Sequence, residues 1–189
     1  MNKKQLLVAC FIFVFSCNYA YAQSNDKDID WDEKEDEFLA ALKITQGEHS
    51  EAELHQAIGY WLLKSDDQWE RATVHFKKAV ELDPKLCMSW YNLGLINIDS
   101  EEGYSYFKKA TEANSKFPTP YYWMAYYRCR YREDKKTIPL FKKYLEVAET
   151  KKDPQEEGRI KVAKEVLADL LVGREGRNLS MMRKPTGKE

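Results

Sequence analysis

One heptapeptide recurs three times, and this recurrence constrains the fold more than any other feature: FKKAVEL begins at Phe76, FKKATEA at Phe107 and FKKYLEV at Phe141. The starts lie 31 and 34 residues apart, a period typical of architectures that stack one supersecondary unit on the next. Each copy sits late in a stretch whose apolar residues recur at helical spacing, and a second such stretch lies upstream across a short polar turn. The predicted unit is a helical hairpin and the predicted fold class is all-α. One hairpin cannot bury its own apolar face, so about three are needed for a stable stack. The chain supplies three.

Further residues recur in one order inside the units. In the second, Trp90, Leu93 and Gly94 are followed by Phe107 and Ala110. In the first, Ala72, Phe76, Ala79 and Pro84 complete the later helix, while Ile58 and Gly59 mark the earlier one and His55 stands where a Trp would fit the pattern. In the third, Met124 and Ala125 hold a large-small pair and Phe141 the aromatic position, with Tyr144 replacing the alanine. The order W-x-x-L-G, then A-x-x-x-F-x-x-A with a closing proline, resembles the tetratricopeptide repeat over roughly residues 52–150. The resemblance implies a right-handed solenoid of about three hairpins with a C-terminal capping helix, in a repeat protein of the bacterial exported type. A small residue such as Gly94 or Ala125 lets the helices of a hairpin approach closely. Phe76, Phe107 and Phe141 are expected to fill the gaps between hairpins, and Pro84 to fix the turn into the next helix.

Two departures bear on geometry. The steps from Gly59 to Ala72, Gly94 to Gly103 and Ala125 to Thr137 are 13, 9 and 12 residues, so the second unit is short and its Ile98-Asp99-Ser100 corner must be tight. Pro139 lies inside the last repeat helix, which is expected to start late, near Thr137, or to kink. Ser50-Glu51-Ala52-Glu53 reads as a capping box opening the first helix. Asp153-Pro154 opens a helix running to about Leu171, with Ile160, Ala163, Val166, Leu167 and Leu170 on one side and Gly173 as its stop. A shorter helix around Glu33–Ile44, with Phe38, Leu39 and Leu42, is expected to cover the first hairpin.

The ends read differently from the middle. Lys3 and Lys4 precede a ten-residue apolar run, Leu6 to Phe15, and Ala20-Tyr21-Ala22 offers a small-x-small cleavage site, the pattern of a secretory signal. Ten apolar residues are about half of what a membrane span needs. The expected organisation is therefore a signal peptide over 1–22, an acidic segment with a short helix over 23–49, repeats over 50–150, a capping helix over 151–173 and a basic tail over 174–189. Cleavage near Ala22 predicts a periplasmic or secreted protein; Val14-Phe15-Ser16-Cys17 also resembles a lipoprotein signal, with Cys17 as the lipid anchor. Without residues 1–22 the chain carries 28 basic and 31 acidic side chains, a net charge of −3, which is no footprint for nucleic acid. Residues 26–37 alone hold eight acids and two lysines, the composition of a solvated segment. Of the cysteines beyond the signal, Cys129 aligns with Ile98 and so stands eleven residues beyond Cys87 in the hairpin frame. That is an axial offset of roughly 16 Å, against about 7 Å for a disulfide, so two free thiols are expected.

Signs of catalysis are missing from the pattern. There is no G-x-S-x-G, H-E-x-x-H, phosphate loop or dinucleotide fingerprint. His49 and His55 are six residues apart, off the spacing of a helical metal pair, and His75 is expected to face solvent. No enzyme activity, metal or other cofactor is expected. The distinctive composition is aromatic, 25 of 189 residues, crowded into Tyr121-Tyr122-Trp123 and Tyr126-Tyr127. In the resembled family, first helices line a concave groove. Carried over, that arrangement places Tyr60, Leu63 and Lys64 of the first unit there, with Met88, Tyr91, Leu95 and Ile98 of the second and Tyr122, Tyr126, Cys129 and Arg130 of the third. Tyrosine and arginine are the types enriched as anchors of protein interfaces. The sites matching the family's clamp for chaperone C-termini hold Gln56, Tyr60, Asn92, Thr119 and Trp123, of which only Asn92 fits. The expected function is a non-enzymatic interaction module or scaffold of the bacterial envelope, holding an apolar or proline-rich peptide or a partner helix. In that reading, Tyr122→Ala with Tyr126→Ala weakens binding and spares the fold. A lipid-anchored assembly factor at the outer membrane is the alternative, and a small envelope hydrolase a remote third.

Overall fold

The computed structural model describes residues 50–65, 68–151 and 153–172, together with Asp30, Asp32, Glu33, Glu35, Asp36, Leu39 and Ala40 of the preceding segment. Among the described residues the chain is all-α, with seven helices and no strand: α1 (Glu51–Lys64), α2 (Trp69–Leu82), α3 (Cys87–Ile96), α4 (Glu101–Ala113), α5 (Thr119–Arg130), α6 (Asp134–Lys151) and α7 (Glu157–Leu171). Each helix packs on the next, most extensively within the pairs α1/α2, α3/α4 and α5/α6. The described part of the early segment is helical apart from Asp30. Residues 1–29 and 173–189, which include the expected signal, Cys17, Gly173 and the basic tail, lie outside the described residues, as do Phe38 and Leu42.

Local chemistry sets the boundaries. Ser50 accepts from the Glu53 N–H at 3.3 Å while the Glu53 carboxylate accepts from the Ser50 N–H at 2.7 Å, completing the expected capping box. Ser100 caps α4 by accepting from Gly103 at 3.0 Å. The Pro84 carbonyl accepts the Trp90 indole N–H at 2.9 Å, tying the turn to the helix it introduces. Two expected starts are corrected. The helix expected from Pro154 opens instead as a 3-10 turn, Pro154–Glu156, with Asp153 accepting from Gln155 at 2.9 Å, and α7 follows. The last repeat helix begins at Asp134, three residues before Thr137, and carries Pro139 within it. The bond that Pro139 cannot make would go to Lys135, and both residues are exposed, so the orphaned carbonyl is open to hydration. Upstream, α5 ends with Arg132 at φ 55°, with Arg132 N–H donating to Cys129 at 3.1 Å and Glu133 N–H to Arg128 at 3.0 Å. This is a Schellman cap made without its usual glycine.

The apolar interior forms two clusters. The first gathers Leu54, Ile58 and Leu62 of α1, Ala72, Phe76 and Val80 of α2, and Leu93 of α3, with Leu39 of the early segment packed against it. The second joins Phe107 to residues of α5 and α6, including Tyr122, Trp123, Ala125, Phe141 and Tyr144, and to Ala163, Val166 and Leu170 of α7. Ile160 and Leu167 flank the same side of α7, as the helical spacing predicts. Phe76, Phe107, Phe141, Ala72, Ala79, Ala110 and Ala125 are fully buried. Cys87 and Cys129 are free thiols.

The small residues show why the hairpins are tight. A Cβ on Gly59 would stand 2.9 Å from the Phe76 ring, and one on Gly94 2.5 Å from the Phe107 ring. The shortened second unit has a harder constraint, because a Cβ on Gly103 would stand 2.0 Å from the Asn97 carbonyl oxygen, which is backbone and cannot swing aside. Gly158, by contrast, has open space. In urea denaturation, Gly103→Ala is expected to cost about 3 kcal/mol and Gly94→Leu about 1–3 kcal/mol. Gly158→Ala should be neutral or slightly stabilising, and Arg132→Gly should gain about 1 kcal/mol by relieving the left-handed backbone. A Gly103→Ala variant as stable as the parent would contradict the α3/α4 corner.

Candidate functional site

The face expected to receive a partner divides into an open and a closed part. On α1, Tyr60 is 47% exposed with Lys64 Nζ 5.5 Å over its ring, and Leu63 lies half-buried against the first cluster. On α3, Met88 is 40% exposed. Gln56, one turn before Tyr60, accepts from the hydroxyl of Ser89, the neighbour of Met88, at 3.0 Å, so α1 and α3 lie side by side at this level. Tyr91 is half-buried, its ring centroid 6.0 Å from Phe107 and 5.1 Å from Phe117. Leu95 and Ile98 pack from the edge onto the second cluster.

The third hairpin departs from expectation. Tyr122, Tyr126 and Cys129 are buried, not presented in a groove. Tyr122 packs edge-on against Trp123, Phe141 and Tyr144 at centroid distances of 5.1, 6.1 and 5.3 Å, and α7 belongs to the same cluster. Burial, with the Glu156 carboxylate nearby, pushes the Tyr122 hydroxyl up to about 12. The physical reason is length: the chain continues past the third hairpin into a helix with an apolar face, and the aromatic side chains are what that face covers. Tyr122→Ala and Tyr126→Ala therefore remove core rather than surface. Arg130 remains on the rim, where it pairs with Asp99 and reaches the Tyr126 hydroxyl at 3.5 Å. Asn92, the one residue matching the family's clamp, is buried, and Thr119 and Trp123 are buried as well.

Three polar constellations went unrecognised in the sequence. Glu156 is 4% exposed, and its carboxylate accepts from the Thr119 hydroxyl at 2.8 Å, the Tyr144 hydroxyl at 2.6 Å and Arg159 at 3.2 Å. It thereby pins the start of α7 to α5 and α6, and burial together with that bond drives the Tyr144 hydroxyl far above its usual range. The substitution of Tyr144 for the repeat alanine was the available signal, since a buried hydroxyl needs an acceptor. The Arg128 guanidinium lies 4.1 Å over the Tyr104 ring and pairs with Glu133 at 2.8 Å and Glu101 at 3.4 Å. Glu101 also accepts from the Tyr127 hydroxyl at 2.8 Å. Finally, His75 does not face solvent: it is 7% exposed and bonded to both His55 and Glu35. Position 75 lies three or four residues from Ala72 and Ala79, hence on the buried stripe of α2, a signal the repeat motif masked.

Among the described residues, no group of three or more His, Cys, Asp or Glu is placed to hold a metal ion, and no helix is long and apolar enough to cross a membrane. No protein-family model matches the chain, and no curated protein matches it significantly. The Glu156 junction makes a direct prediction. Glu156→Leu strands the buried Thr119 and Tyr144 hydroxyls and should cost about 2–4 kcal/mol in urea denaturation, whereas Tyr144→Phe should cost about 1 kcal/mol.

Proposed function

We propose that this chain is an exported, non-enzymatic interaction module of the bacterial envelope, in which three tetratricopeptide-type hairpins, α1/α2, α3/α4 and α5/α6, form a short right-handed solenoid capped by α7. The partner site is the side formed by α1 and α3, with Tyr60, Leu63 and Met88 as its contacts and Tyr91 and Leu95 at its floor. One observation carries this reading: Tyr60 and Met88 are large apolar side chains left exposed where two first helices lie side by side, while the equivalent side of the third hairpin is filled by its own aromatic core. Tyrosine and methionine on a firm helical support suit an extended apolar segment or the apolar face of a helix. Arg130, held by Asp99, marks the polar edge.

Photo-crosslinking in the producing cell tests the site, with the probe at Tyr60 or Met88 and a control at Lys109, whose ammonium lies 4.4 Å over the Trp90 ring. The expected result is a dominant adduct from Tyr60 and Met88 and none from Lys109; adducts at Lys109 alone would move the interface to the other face. The anchored alternative is favoured by Cys17 following Val14-Phe15-Ser16. The mass of the mature protein separates the two routes, since a chain starting at Gln23 is free and one starting at a lipidated Cys17 is anchored.

A further inference from the structure

The unpredicted histidines form a chain of contacts that crosses three segments. His55 of α1 and His75 of α2 face each other through their Nδ1 atoms at 2.9 Å. His75 Nε2 is 2.7 Å from one oxygen of Glu35, in the early acidic segment. The other oxygen of Glu35 accepts from Arg71 of α2 at 2.8 Å, and Arg71 also donates to Asp32 at 2.6 Å. On the outer side, His55 Nε2 is 3.9 Å from Glu51, one turn earlier on α1.

Proton counting restricts what this arrangement allows. Partial burial pushes Glu35 up, but Arg71 and His75 outweigh it and hold the carboxyl below its ordinary value, so near neutral pH it is an ionised acceptor. His75 Nε2 must then carry a hydrogen. In the neutral ring that leaves His75 Nδ1 as an acceptor, and His55 Nδ1–H donates to it. One added proton is still accommodated, because a charged His75 donates Nδ1–H to a His55 ring that carries its own hydrogen on Nε2. Only when both rings are charged do two N–H groups face each other, and these cannot remain 2.9 Å apart. The two rings differ in what they can do next. The His75 side chain is only 8% exposed and locked to Glu35; the His55 side chain is 19% exposed, with the exposed Glu51 beside it.

We propose that His55 and His75 form a proton-operated clasp: with its Nδ1–Nδ1 hydrogen bond the pair ties α1 to α2, and protonation of both rings releases His55 to Glu51 while His75 stays held by Glu35. Acid thus opens the tie within the first hairpin and strengthens the tie between the acidic segment and α2. The surrounding charges agree with this. Burial, then the His75 charge, lowers the affinity of His55 for a proton; Glu51 and Glu35 oppose that and Lys78 of α2 adds to it, the balance leaving His55 below 6.5. The folded chain therefore binds this proton less readily than the unfolded chain. The associated stability is present above about pH 6.5 and is lost as pH falls through the lower folded value.

Nitrogen-detected imidazole NMR of the whole protein from pH 8 to pH 5 tests the clasp without any substitution. The expected spectrum at pH 8 has His55 protonated at Nδ1 and His75 at Nε2, with His55 titrating below 6.5 and changing its Nδ1 environment as it does. Two histidines in the same tautomer, each titrating independently as a free imidazole does, would overturn the proposal. A second readout is stability in urea. The parent should lose stability between pH 7.5 and pH 5.5, His55→Asn should lose less, and Glu51→Gln, which removes the acid-side acceptor, should lose more. Equal slopes for all three would also overturn it.

Discussion

The structure depends on how closely the two helices of a hairpin can approach. Gly59 lies against the Phe76 ring and Gly94 against the Phe107 ring at distances that leave no room for a methyl group. Each buried phenylalanine then serves two purposes, closing its own hairpin and extending a cluster to the next: Phe76 shares a cluster with Leu93, and Phe107 shares one with Tyr122 and Phe141. Because the clusters overlap at α3 and α4, which give Leu93 to the first and Phe107 to the second, the helices are coupled in a line and no hairpin is stabilised alone. Gly103 is the extreme case. The nine-residue step from Gly94 folds only because α4 can start against the Asn97 carbonyl.

The two ends of the described helical array solve the same problem by different means. At the C-terminal end α7 closes the third hairpin with apolar residues and anchors its start through the buried Glu156 carboxylate. At the other end, among the described residues, the first hairpin meets the acidic segment through Arg71 and His75 binding Asp32 and Glu35, with Leu39 adding an apolar contact. Contacts between ionised and titratable groups respond to pH and salt more than apolar ones do. That difference, combined with the open side at Tyr60 and Met88, concentrates both proposed recognition and proposed regulation in the first two hairpins.

The repeat was legible because it rests on residues whose roles are steric and local: glycine where helices touch, phenylalanine where hairpins meet, a capping serine where a helix starts. Those constraints recur at fixed spacing. The site was less legible because exposure is not periodic in the same way. Tyr60 and Tyr126 occupy matching positions on first helices, yet one is open and the other buried, since the third hairpin has α7 beside it. The Glu156, Arg128 and His75 contacts were illegible for a related reason. Each joins residues far apart in the chain, and their polar character reads locally as solvation until the fold brings a partner to them.

Hydroxyl-radical footprinting of the native protein, read tyrosine by tyrosine, tests most directly whether the open side lies on the first two hairpins and the aromatic core under α7. Strong labelling of Tyr60 with protection of Tyr122, Tyr126 and Tyr144 is the expected result. Labelling of Tyr122 and Tyr126 as strong as that of Tyr60 would contradict it, because the third hairpin would then present the groove and α7 would not cover it.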